Sequence, residues 1–207
     1  AVLSTHARVP LNSRPVRRQQ MPSTTLASLS MLCLALSGCG TTTTVHISPS
    51  PQDPVCAAFS SAKILWTTDW RADQKDVSDR ELAAATGLDR FFQSASCFKS
   101  TSIQRIASGS TQSSGPIITA AIREFDKVVL ITIREFGPVI KIGASLALVE
   151  GGTEVVFDTY EQVSTNLATR KFKTVWNSGG PGVVKGVGTL PDDLQAALSA
   201  AFQPHTR

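Results

Sequence analysis

The chain has 207 residues, 42% hydrophobic, 17% charged and 6% aromatic, which is long enough to bury a sizeable core and too apolar to be disordered throughout. Its formal net charge of +4 is unevenly placed: of 20 Lys and Arg, four (Arg8, Arg14, Arg17, Arg18) precede Cys39 with no Asp or Glu among them, and the 16 that follow are balanced by 16 acidic residues. A nucleic-acid binder needs a basic footprint to displace phosphate counterions, and the balanced body has none overall.

Residues 26–36 form an apolar stretch of signal-peptide h-region length, well short of the ~18 residues needed to span a bilayer. Arg14, Arg17 and Arg18 supply positive charge upstream of it. At Leu36-Ser37-Gly38-Cys39 the sequence resembles the lipobox of bacterial lipoproteins, in which small residues precede the cysteine that is modified. The resemblance implies a leader over 1–38, cleavage before Cys39, a diacylglyceryl group on its thiol and a further acyl chain such as palmitate on the new amino terminus. Two or three acyl chains make a stable anchor where one binds only marginally, at ~0.8 kcal/mol per buried methylene. Gly40, where an inner-membrane retention signal would place Asp, implies the outer membrane and a periplasm-facing domain. The alternative is an ordinary buried cysteine in an apolar helix. With Cys33 in the leader and Cys39 lipidated, Cys56 and Cys97 remain; an even pair in an exported domain reads as a disulfide, and a metal site is the rival.

Residues 39–54, rich in Ser, Thr and Pro after the lipidated cysteine, read as a tether, and 55–207 as one α/β domain of α+β type. In chain order, 62–66 is a short apolar strand. Ser78-Asp79-Arg80-Glu81 has the form of a capping box opening a helix with Leu82, Ala85, Leu88 and Phe92 near one face, slightly weakened by Gly87. A strand over 98–106 follows, then a polar loop at 109–115 whose Ser114 can cap a second helix carrying Ile118, Ala121, Ile122 and Phe125. Residues 127–136, apolar on both faces at the start, predict a central strand. Residues 139–149 alternate, and Glu150-Gly151-Gly152 marks a turn, so this run and 153–163 form a predicted hairpin. A strand at 170–177 and a helix at 191–202, with Leu194, Ala197, Leu198, Ala201 and Phe202 in a stripe and Pro191 in its first turn, close the chain.

The order β-α-β-α-β-β-β-β-α predicts a mixed, mostly antiparallel sheet with about three helices. In pattern over 62–202 it resembles periplasmic accessory lipoproteins of the curli-secretion and Tol amino-terminal-domain type. The run Leu130-Ile131-Thr132-Ile133-Arg134-Glu135-Phe136 also resembles auxiliary lipoproteins of ABC-type lipid transporters.

The three histidines, His6, His46 and His205, fall in leader, tether and carboxyl terminus, which argues against histidine-based catalysis and histidine metal sites. The five glycines of 177–188 lack the spacing of a phosphate-binding loop, and Asp69, Asp73 and Asp76 lack that of a calcium loop. Glu154 and Asp158 share a strand face but lie ~13 Å apart by strand rise, beyond a glycosidase pair; Glu135 could approach either from another strand. In the polar loop after the first strand, Trp70 and Arg71, with Trp66 before them, have the residue types of interface hot spots, against the alternative that Trp66 ends the core strand and Trp70 folds back over it. Trp176 could join the same sheet edge. The reading is a non-enzymatic accessory lipoprotein, without cofactor, metal or nucleic acid, that binds another envelope protein. The alternative is a lipid or small-ligand carrier serving an envelope transporter, which would enclose an apolar pocket.

Overall fold

The structure is a computed structural model that describes residues 40–50, 52–108, 114–142 and 149–203. The leader, Cys33 and Cys39 lie outside these residues, as do 109–113 of the expected polar loop, 143–148 and His205. Among the described residues the fold is α+β: six strands in one mixed sheet and three helices.

In chain order the elements are β1 (Thr42–Ser48), β2 (Ala57–Thr68), α1 (Val77–Ser94), β3 (Phe98–Arg105), α2 (Gly115–Ala121), β4 (Lys127–Ile142), β5 (Val149–Val163), β6 (Thr169–Pro181), a 3-10 turn (Val187–Thr189) and α3 (Leu190–Phe202). Across the sheet the order is β1-β6-β5-β4-β2-β3. β2 is parallel to both β3 and β4, and the remaining pairs are antiparallel. The crossover through α1 steps outward from β2 to β3, and the one through α2 steps back past β2 to β4. Crossovers of one hand that step in opposite directions must use opposite faces of the sheet, so α1 and α2 cover different faces.

The burial pattern follows. On one face, α1 and α3 pack over Ile64 and Trp66 of β2, Val129, Ile131 and Ile133 of β4, Phe157 of β5 and Phe172 of β6. On the other, α2 covers Leu65 of β2 with Val128 and Leu130 of β4. β4 is therefore buried on both sides where its sequence is uniformly apolar, as a central strand requires. Phe202 of α3 sits at the hub of the larger core, its ring within 6.5 Å of those of Phe91, Phe92, Phe157 and Phe172.

Four expectations need correction. The Ser/Thr/Pro tether is a strand over part of its length: Thr42–Ser48 pairs with β6 from Thr42↔Gly179 to Ser48↔Lys173. Its Thr-Thr-Thr-Val-His-Ile run is rich in β-branched residues, and Ile47 packs against the core. Residues 127–142 form one strand, carried past Gly137 and Pro138 by a register shift between Ile133 and Glu135. Glu150-Gly151-Gly152 lies inside β5, where Gly151 and Gly152 face Gly180 and Gly179 of β6. These glycines serve close passage of backbones: a Cβ at Gly151 would stand 1.9 Å from the Val183 carbonyl oxygen. Finally, α1 starts one residue before Ser78, at Val77, with Asp76 at its N-cap and no side-chain capping bond.

Cys56 and Cys97 are disulfide-bonded. The bond ties the starts of β2 and β3, beside the Ala57 N–H donated to the Cys97 carbonyl at 2.7 Å.

Candidate functional site

The two faces of the sheet are covered unequally. Among the described residues, α1 and α3 close one face, whereas the other carries only the two turns of α2 near β2 and β4. Side chains alternate across a strand, so β5 and β6 send Phe157, Phe172, Thr174 and Trp176 to the covered face and Asp158, Tyr160, Lys171 and Lys173 to the opposite one. Between α2 and these strands lies an open groove of about 650 Å³, lined among others by Ser48, Thr132, Arg134, Asp158, Tyr160, Lys171 and Lys173.

The electrostatics of the groove are set by who pairs with whom. Arg134 donates to Asp158 within the groove and, at 2.5 Å, to Asp69 at its end. Hydrogen bonding to Asp158, with the charges of both carboxylates, outweighs burial and raises the guanidinium pKa further. Lys171 lies over the Tyr160 ring, 5.5 Å from its centroid. Lys173 stands opposite Asp158 in register, but that carboxylate is engaged by Arg134. Both lysines are exposed, and neither has an ion-pair partner among the described residues.

Arg134 also links the groove to the loop that follows β2. β2 ends at Thr68 while β4 runs on, leaving carbonyls along β4's outer edge. The Asp69 N–H fills the first by donating to the Ile133 carbonyl at 2.8 Å, and Arg80 donates to the Phe136 carbonyl. Along this loop Arg71 is exposed, with Nε 2.8 Å from the Glu135 carboxylate. Arg71, Gln74, Arg80, Glu135 and Glu154 line a second, smaller cleft of about 270 Å³. The structure thus brings Glu135 and Glu154 to one cleft, on adjacent strands, with Arg71 paired to Glu135 and Arg80 bonded to the Lys75 and Phe136 carbonyls.

The tryptophans behave otherwise than a partner surface needs. Trp66 is 5% exposed, in the main core, with the Arg105 guanidinium 5.2 Å from its ring centroid. A side chain so buried presents nothing to a partner, which corrects its assignment. Trp70 is half-buried and folds back onto the core. Trp176 is buried on β6, separated from β2 by β5 and β4, so it does not share an edge with Trp70. Glu81, expected at a helix cap, instead meets Arg105 at 2.5 Å and accepts from Thr68 at 3.2 Å. Burial acts to raise its pKa, but the hydrogen bond and charge of Arg105, with the hydrogen bond from Thr68, hold it below its ordinary value.

The remaining sequence candidates are structural. His46 is exposed on β1. The glycine-rich stretch is β6 as far as Pro181; beyond it Lys185 reaches the Asp193 carboxylate of α3 at 2.7 Å, which also accepts from Thr153 at 2.7 Å. Among the described residues no three His, Cys, Asp or Glu side chains gather as a metal site would need, and no helix is long and apolar enough to cross a membrane. What sequence reading missed was the lysine pair: Lys171 and Lys173 alternate with buried Phe172 and Thr174, a legible strand signal, but nothing local told that the face they share is left open.

No protein-family model matches the chain, and no curated protein matches it. Among solved structures it is similar to the PelC dodecamer from Paraburkholderia phytofirmans at 12% identity, covering 79% of this chain and 100% of that one, with a TM-score of 0.42. It is also similar to protein XCC0632 from Xanthomonas campestris at 12% identity, covering 76% of this chain and 86% of that one, with a TM-score of 0.35. Lipoprotein GNA1162 from Neisseria meningitidis is similar at 14% identity, covering 68% of this chain and 99% of that one, with a TM-score of 0.32.

Proposed function

We propose that this chain is a non-enzymatic accessory lipoprotein of the bacterial cell envelope, anchored in the outer membrane through acylated Cys39, facing the periplasm and binding another envelope protein through the open face of its sheet. The anchor rests on the Leu36-Ser37-Gly38-Cys39 motif. The single observation that supports the binding role is the groove: a concave, solvent-open surface with two unpaired cations on a rigid antiparallel floor. Arg71 extends the same surface, since Arg134 bridges from Asp158 in the groove to Asp69 at the root of its loop. A lipid carrier would instead need an enclosed apolar space. The volume between helices and sheet is filled, with Phe91, Leu88, Leu194, Leu198 and Phe202 fully buried, and the apolar residues along the groove, Ile118, Leu130 and Phe172, are already covered.

The test is a photo-crosslinking side chain at position 173 of the full-length protein, in cells that make it naturally. A discrete protein adduct is expected from 173 and none from exposed Asp89 on α1. Replacing Cys39 with Ser is expected to abolish acyl labelling and release the protein from the membrane fraction. Absence of any adduct in exported, acylated protein would overturn the binding role.

A further inference from the structure

We infer that the groove binds an extended acidic segment of its protein partner, in which carboxylates at alternate positions pair with Lys171 and Lys173. The inference rests on the reading of the open face as a partner surface and names the chemistry recognised there.

Three observations carry it. Lys171 and Lys173 are two residues apart on one strand, so they project from the same face ~6.8 Å apart along the sheet. An extended peptide presents its own alternate side chains at the same spacing, so a run of acidic residues at every second position matches the pair without distortion. Second, the lysine charges are uncompensated. The carboxylates within the groove's reach, Asp158 and Asp69, are both held by Arg134, which leaves the two ammonium groups facing solvent. Third, polar groups stand beside the pair: Ser48 and Thr132 line the groove with the lysines, and the Tyr160 ring, under Lys171, donates its hydroxyl hydrogen to Gln162. A phospholipid would find anion-binding lysines here, but the groove is open to solvent and Ile118, Leu130 and Phe172 are themselves buried, so the described residues enclose no channel for its acyl chains. A peptide needs no such channel.

The probe is a fluorescently labelled peptide of alternating glutamate and serine, titrated with the full chain and followed by anisotropy at low and physiological salt. Saturable binding that weakens with salt is expected, with no binding of the glutamine-serine analogue. Lys171→Glu with Lys173→Glu is expected to weaken binding by about tenfold or more through like-charge repulsion, while Lys171→Arg with Lys173→Arg retains it and Lys99→Glu, on β3 at the far end of the strand order, leaves it unchanged. Lys171, Lys173 and Lys99 are all exposed, so an unchanged melting temperature verifies the fold. Equal binding of the glutamine peptide, or of the double charge reversal, overturns the inference. So does capture of phosphatidylglycerol vesicles through the lysine pair in place of the peptide, which would make the occupant a lipid headgroup. Salt-sensitive self-association lost in the double reversal, with no peptide binding, overturns it in favour of a second copy. If the peptide fails while the crosslinker at 173 still captures a protein, the partner surface stands and only the acidic-strand chemistry falls; if both fail, both fall.

Discussion

Glu161 is 2% exposed, yet it is charged and carries two partners: Lys127 at 2.5 Å and Arg170. Those cations in turn hold the chain entering the domain. Lys127 donates to the Val55 carbonyl at 2.8 Å, and Arg170 to the carbonyls of Asp53 and Pro54 at 2.5 and 3.1 Å. One carboxylate thereby fixes the direction in which residues 53–55 leave the sheet. Such a network does not add much stability over an apolar replacement, but breaking it leaves a buried charge uncompensated. Glu161→Ala is expected to cost about 3–5 kcal/mol, read by urea unfolding, and to loosen amide protection at 53–57. Nothing in the sequence marked Glu161 out, because it alternates with Tyr160 and Gln162 like any strand carboxylate; its partners lie 34 residues upstream and nine downstream, on different strands.

At the scale of elements, the two long helices are placed by a missing side chain. The sequence casts Gly87 as a weakness in α1, since glycine costs roughly 1 kcal/mol relative to alanine in a helix interior. In the fold it is the contact point with α3: a Cβ there would lie 2.8 Å from the Pro191 carbonyl oxygen and 3.0 Å from the Leu194 Cβ. Backbone on one side and a fully buried leucine on the other leave little room to yield. Overpacking of a tight core costs roughly 1–3 kcal/mol, which exceeds the helix-propensity gain. Gly87→Ala is therefore expected to lower stability in thermal melts, although propensity alone predicts the opposite sign. The helices themselves, and their apolar stripes, were legible: Leu88 and Phe92, Leu194, Ala197, Leu198, Ala201 and Phe202 are all buried as their spacing implied. Leu82 is not, at 70% exposed, because only part of the expected stripe of α1 meets α3.

For the whole molecule, the disulfide and the unequal faces are the features that matter. Cys56 and Cys97 enclose α1 and the first crossover in a loop of sequence separation 41. Restricting the unfolded chain over such a loop contributes about 4 kcal/mol in the entropy model. Replacing both cysteines by Ser is expected to lower the urea midpoint by a corresponding amount, with the loss concentrated at β2, α1 and β3. The groove should be spared, because α2, β4, β5 and β6, which form most of it, lie outside the loop that the bond closes. Binding at the lysine pair and global stability are thus separable in the same variant.

The amino-acid sequence by itself determined the α+β class, the helices, most strands, the disulfide and the balanced charge of the body, because each depends on composition or on periodicity within one element. Tertiary structure alone decided which runs joined and which face stayed open. Residues 42–48 read as a tether until pairing with β6 made them a strand, and Gly151-Gly152 read as a turn until they met Gly179 and Gly180 across the sheet. Burial of Trp66, engagement of Asp158 by Arg134 and the uncovered Lys171 and Lys173 all depend on partners far away in the chain. Local preference sets what a segment can become; the side it shows to solvent is set by what packs against it.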